Sequence, residues 1–183
     1  MKHNNIKTIG KLLRSLPRFR GKYRLARLLL GDLHNSTNLL LAINDNTKYF
    51  LPNLLEPIAF ALLVDGVYEP QCIDLMLSHL AQDSLFLDIG ANIGAFSVPA
   101  AKHLKQLNGK VIAVEASPKI LPYLRKNVEI NNLENIELLS LAVTNSDHSS
   151  VEFYEAPTEK FGMGSISPQF QSTAIKVQTI TID

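Results

Sequence analysis

Phe86-Leu87-Asp88-Ile89-Gly90-Ala91-Asn92-Ile93-Gly94 reads as a short apolar strand that runs an acid into a glycine turn and then, from Ala95, into a helix. Gly90 and Gly94 suit a tight turn where backbone must approach a ligand closely. Working outward, the pattern is regular on both sides. Pro70 sits well at a first helical position, and Ile73, Met76, Leu77 and Leu80 recur on one helical face. After the turn, residues 95–107 read as a helix with Ala100, Ala101 and Leu104 inward, and 111–114 as a second strand. Ser117-Pro118 then caps a helix carrying Leu121, Leu124 and Val128, with Pro122 expected to cost its first turn a backbone bond, and 135–143 reads as a third strand. Strand, helix, strand, helix, strand with buried apolar strands is the signature of an α/β fold, a Rossmann-like parallel sheet flanked by helices.

The flanks are less regular. Residues 1–31 read as two helical pieces broken near Pro17 and Gly21, followed by short strands at 38–43 and 48–51 around an Asp45-Asn46 turn and a helix near 54–64 that stops at Asp65-Gly66. At the other end, 151–154 and 175–182 are strand-like, and 161–167 is a Gly/Ser loop. The expected division is a basic helical extension with short strands over 1–50 and a cofactor-binding domain over 51–183.

A chain of 183 residues, 46% apolar, can build a real core. Its single cysteine, Cys72, excludes an internal disulfide framework and a cysteine metal cluster, and fits a reducing cytoplasm. The net charge of +1 hides an asymmetry. Residues 1–31 hold nine Lys/Arg and no acid, leaving nine Lys/Arg against seventeen Asp/Glu in the rest. A basic head on an acidic body points either to weak contact with an anionic surface, peripheral to a membrane, or to a solvated helical face that also packs on the protein. No segment reads as a secretory signal or a membrane span. No aromatic-interleaved basic platform accompanies the basic run, so no nucleic-acid partner is expected.

The chemistry of the turn narrows the ligand. In a dinucleotide enzyme, a pyrophosphate faces the N–H groups of such a turn. Here Asp88 precedes the first glycine and would repel a pyrophosphate, and three residues between Gly90 and Gly94 miss the G-x-G-x-x-G spacing. A carboxylate there can instead receive the cationic amino-acid end of S-adenosylmethionine. Glu115, at the tip of the second strand, can accept both ribose hydroxyls, with Ala116 and Ser117 bordering the adenine and Leu141-Ala142-Val143 as its wall. The plain alternatives are an ordinary strand–helix turn, a surface acid at Glu115 and a helix-terminal charge partner at Asp88. A nicotinamide-dependent oxidoreductase is disfavoured by Asp88 and by the glycine spacing.

The sequence resembles the FkbM-like family of methyltransferases. The matching stretches are Gly66-Val67-Tyr68-Glu69, residues 86–96, Val114-Glu115-Ala116-Ser117-Pro118, Asn127 with Asn131-Asn132, Ala142-Val143, the 162–167 loop and residues 177–183. The resemblance implies a class I methyltransferase that uses S-adenosylmethionine to methylate a hydroxyl on a small molecule or sugar. Asp88, Gly90, Asn92 and Glu115 match its cofactor positions, and Tyr68 and Glu69 are placed near cofactor or acceptor. The cofactor-contacting set expected is Tyr68, Asp88, Gly90, Ala91, Asn92, Gly94, Phe96, Ser97, Glu115, Ala116, Ser117 and Ala142, with no metal. No base is named: His34, His79, His103 and His148 are scattered, and Glu155 and Glu159, near the Gly/Ser loop, either face an acceptor or, on the plainer reading, are solvated loop acids. The family pattern continues with a fourth core strand and an acidic-Gly motif, so the chain is expected to hold the N-terminal half of the core, truncated or split, with the edge of residues 84–87 unpaired. A non-catalytic cofactor-binding remnant or partner subunit is the alternative to an enzyme.

Overall fold

In the computed structural model, residues 3–44, 46–145, 149–170 and 172–182 are described. They form two compact units that divide between Tyr68 and Glu69. In the first unit, the basic run forms the expected pair of helices, α1 (His3–Ser15) and α2 (Lys22–Leu30). Then come the antiparallel pair β1 (Thr37–Asn44) and β2 (Thr47–Asn53), and α3 (Pro57–Asp65). The expected turn residue Asp45 lies outside the described residues.

Helix α3 begins where Glu56 caps it, its carboxylate accepting from Ala59 N at 2.7 Å, and ends at Gly66 in the left-handed conformation. Part of the basic head is structural. Arg14 donates to Leu63 O (2.8 Å) and Ala42 O (3.1 Å), Lys22 is buried against Asp65 at 2.8 Å, and Arg27 lies 4.9 Å over the Phe60 ring. These three cations hold α1 and α2 to the strands and to α3, whereas Lys7, Lys11, Arg20 and Arg24 are exposed.

The second unit opens with α4 (Pro70–His79) and carries a three-stranded parallel sheet in the order β3 (Leu85–Ile89), β4 (Lys110–Val114), β5 (Ile136–Leu139). Helices α5 (Ser97–Lys105) and α6 (Leu121–Ile130) make the crossovers. This is the expected α/β arrangement: parallel strands with helices between them, each helix burying one stripe. On α5 that stripe is Val98, Ala100, Ala101 and Leu104. Helix α5 starts two residues later than expected because the glycine turn extends through Phe96. Pro122 falls in the first turn of α6: Leu121 N bonds Ser117 O at 3.0 Å and Tyr123 N turns to Ile120 O at 2.8 Å, so the bond that Pro122 cannot make is absent between them, as expected.

The third strand differs from the expectation. Instead of one strand over 135–143, β5 stops at Leu139, and β6 (Ala142–Val143) pairs in parallel with β8 (Ala174–Ile180), which in turn pairs antiparallel with β7 (Ser150–Tyr154). The reason is the length of the neighbour. Strand β4 ends at Val114, and Glu115 N makes the last ladder bond to Leu139 O at 2.9 Å. Beyond that point the chain must find another partner. Ala142, Phe153 and Val177 form a small core under this second sheet, with Ala116 packed against it.

Strand β3 is the edge of its sheet among the described residues. Leu85 and Ile89 on it are 63% and 47% exposed, which agrees with the open edge expected for residues 84–87 and is a potential pairing surface.

Candidate functional site

The β3–α5 turn and the end of β4 meet at one carboxylate. Glu115 is 6% exposed, and its two oxygens accept from different loops: Oε2 from Asn92 N and Oε1 from Ser117 N, both at 2.8 Å. The turn is built to present Asn92 N. Gly90 N and Ala91 N both donate to Val114 O, at 2.9 and 3.0 Å, which folds the turn back over the end of β4. Asn92 sits at φ 51°, in the left-handed region that asparagine tolerates best after glycine, and its Oδ1 accepts from Ile93 N at 2.7 Å. Gly94, at φ 88°, packs so closely that a Cβ there would lie 2.9 Å from Leu124. Asn127 on α6 braces the turn, its Nδ2 donating to Ile93 O at 2.8 Å.

A cavity of about 360 Å³ opens beside these groups, entirely within the second unit. Of the expected residues, Gly90, Asn92, Glu115, Ala116 and Ala142 line it together. Ala91, Gly94 and Ser117 are buried around the turn, and Phe96 is half-buried at the start of α5. Ser97 is also buried, and its hydroxyl bonds Asp88 Oδ2. Tyr68 is the last residue of the first unit and is described with that unit. The remaining wall comes from Ile89, Leu141, Val143, Ile120, Phe153 and the 162–166 loop, which is pinned to β7 by Tyr154 N to Ser165 O (2.7 Å) and Ser165 N to Tyr154 O (3.0 Å).

One residue read as a solvated loop acid is not one. Glu155 is 6% exposed, and both its oxygens lie 2.9 Å from Ser117 Oγ. The alternation of β7 carries the missed signal: Val151, Phe153 and Glu155 fall on one face, and that face is inward. Glu159 is exposed, as are His34 and His79, which make local bonds only; His103 is half-buried on α5, and His148 lies outside the described residues. Among the described residues, no group of three His, Cys, Asp or Glu side chains is placed to hold a metal ion.

Burial governs the electrostatics. It raises the Glu115 carboxyl above its ordinary value, opposed by the N–H groups of Ser117 and Asn92 and assisted by the nearby charge of Glu155. Burial likewise raises Asp88, opposed by its bonds from Ser97.

The site suits S-adenosylmethionine. An ionised carboxylate offers roughly four acceptor positions. Two strong backbone donors hold Glu115 from the protein side, which leaves capacity toward the cavity for the paired hydroxyls of a ribose. Gly90, at φ 76°, has nothing within 4 Å of where a Cβ would stand, so the cavity reaches its backbone directly.

Residues 74–177 match the family model of the TRM5/TYW2 methyltransferase domain. The chain belongs to that family. It is accordingly a class I, S-adenosylmethionine-dependent methyltransferase domain. The match does not extend to the FkbM-like family whose motifs the sequence resembles. Among curated relatives, a probable cobalt-precorrin-6B C(15)-methyltransferase of Sulfolobus acidocaldarius is 37% identical over 71 residues, 39% of this chain and 36% of that protein. A tRNA (guanine(37)-N(1))-methyltransferase of Batrachochytrium dendrobatidis is 34% identical over 61 residues, 33% of this chain and 12% of that protein. The chain therefore spans about a third or less of the length of these relatives. Among solved structures, TYW2 of M. jannaschii in complex with AdoMet is 18% identical over 62% of this chain and 53% of that one, with a TM-score of 0.43. The family and the tRNA-methyltransferase relative overturn the expectation that no nucleic acid is involved. No helix among the described residues is long and apolar enough to cross a membrane.

The raised Asp88 carboxyl makes a prediction about pH. A carboxyl whose folded pKa exceeds its unfolded value stays protonated in the folded state while the unfolded chain ionises. Its contribution to stability is fully present below the unfolded pKa and is lost as pH rises through the folded one. Asp88→Asn keeps an oxygen for the Ser97 hydroxyl and cannot ionise. Its urea midpoint should therefore gain on wild type as pH rises from about 4 to 7. A difference that stays constant over that range contradicts the assignment.

Proposed function

We propose that this chain holds S-adenosylmethionine between the β3–α5 turn and the end of β4, and that it serves methyl transfer to a nucleic acid. The observation that carries the cofactor reading is the Glu115 carboxylate, locked by Asn92 N and Ser117 N and lining the same cavity as Gly90. In this reading Glu115 takes the two ribose hydroxyls. Each hydrogen bond to a charged acceptor contributes about 1.5–3 kcal/mol, enough for one residue to set nucleoside selectivity. Ala116, Ile120 and Ala142 supply apolar surface for the adenine, and Gly90 lets the ligand lie against backbone. Asp88, at the carboxyl end of β3, is the acid assigned to the cationic amino-acid end, with Ser97 fixing its orientation. The cofactor supplies an already activated methyl group on a sulfonium. The residues of the chain bind and orient, and positioning of this kind is a large source of rate in group transfer.

The nucleic-acid acceptor rests on the family and on charge. Residues 1–31 carry nine cations and no acid, and several, such as Lys7, Lys11, Arg20 and Arg24, are exposed and available to phosphates. A second reading, methylation of a hydroxyl on a small molecule or sugar, is favoured by one observation. Part of the 162–167 loop, which belongs to the FkbM-like pattern, lines the cavity.

Two outcomes are expected. S-adenosylhomocysteine should raise the melting temperature of the wild-type chain, NAD should not, and Glu115→Ala should abolish the rise; a retained rise removes Glu115 from the ribose. Unmodified tRNA should bind the chain with an affinity that falls steeply between 50 and 200 mM salt, about tenfold or more if several phosphates are neutralised. Absence of tRNA binding at low salt sinks the nucleic-acid reading and leaves the small-molecule acceptor.

A further inference from the structure

We propose that Glu155 is a positioning residue for ribose recognition, which it controls by holding Ser117 and, through it, the orientation of the Glu115 carboxylate. The inference rests on the cofactor reading above. Glu155 follows β7, on the face that also carries Phe153 into the cavity wall, and it is as buried as Glu115. No cation among the described residues pairs with it. Burying a carboxylate without an ion pair is costly, so its hydrogen bond matters.

That bond has a fixed direction. Ser117 Oγ accepts from Lys119 N at 3.2 Å and Ile120 N at 3.3 Å, at the approach to α6. Its one proton therefore goes to Glu155, whose two oxygens are equidistant at 2.9 Å. The same residue's backbone N–H donates to Glu115 Oε1 at 2.8 Å. Glu155 thus clamps the residue that aims one half of the ribose acceptor, while Asn92 N aims the other. Glu155 is not itself part of the cavity lining, so it acts through Ser117.

Glu155 also acts through space. Burial is the main reason that Glu115 resists ionisation; the charge of Glu155 adds to it, and the N–H groups of Ser117, Asn92 and Ala116 oppose it. Asp88 on β3 bonds Ser97, and Lys119 before α6 is exposed. Glu115 must be ionised to accept from both hydroxyls. Cofactor binding therefore weakens as pH falls through its pKa, and removing the charge at 155 moves that acid limb to lower pH.

The test is calorimetry on the whole chain with 5′-methylthioadenosine and its 2′-deoxy counterpart. Wild type should prefer the ribose form by about tenfold, the worth of one hydrogen bond to a charged group. Glu155→Ala should cut that preference to under about threefold, with the main loss on the ribose form. Glu155→Gln retains an oxygen for the Ser117 hydroxyl, so it should keep the preference and shift the acid limb of binding to lower pH. An unchanged preference in Glu155→Ala, or an equal loss for both nucleosides, overturns the positioning role. If Glu155→Ala does not fold, Ser117→Ala, which removes the hydroxyl that Glu155 holds, decides in its place: an unchanged ribose preference overturns the proposal. Failure of wild type to bind either nucleoside or S-adenosylhomocysteine is a different result, and it overturns the cofactor reading beneath.

Discussion

The Glu115 carboxylate joins two backbone segments, adding to the bonds that Gly90 N and Ala91 N make to Val114 O. One oxygen takes Asn92 N from the turn after β3, and the other takes Ser117 N from the loop after β4. A carboxylate buried this deeply is unfavourable unless donors surround it, and the fold supplies them from both sides. The turn keeps its shape because Gly90 and Gly94 adopt positive φ and Asn92 tolerates it. Asn127 then ties the turn to α6. The buried acid and the turn's geometry are thus one arrangement, and a change to either is felt by the other.

A second sheet completes the site. Strand β4 ends at Val114, β5 ends beside it, and the chain passes to β6, which lies next to β8 and β7. That switch puts Ala142 and Phe153 in the cavity wall and Glu155 beneath Ser117. The price is a set of buried polar groups whose bonds all run through the 115–117 corner. Local consistency there decides whether the cavity is preformed.

Much of this was legible in the sequence. The Asp88–Gly94 turn, the parallel order of the three strands and the acid at 115 follow from residue types at element ends, where sterics and ligand chemistry leave few choices. The break in the third strand was not legible, because residues 138–143 are apolar apart from Ser140 and only the length of β4 decides where pairing stops. Glu155 was missed although its alternation with Val151 and Phe153 marked it as inward; a charged residue at a strand end was read by its polarity alone. The structural use of Arg14, Lys22 and Arg27 depends on partners as distant as Ala42, Asp65 and Phe60, which local pattern cannot supply. The expectation that no nucleic acid is involved was overturned for a related reason. The cofactor turn encodes the donor, whereas the family match over 74–177 draws on the whole domain.

The claim on which the rest depends is that Glu115 is the ribose acid. A crystal structure of the chain with S-adenosylhomocysteine tests it most directly. Both ribose hydroxyls should lie on the Glu115 carboxylate, with Asn92 N and Ser117 N still donating to it. A ligand bound elsewhere, or one in this cavity whose ribose does not contact Glu115, would contradict it.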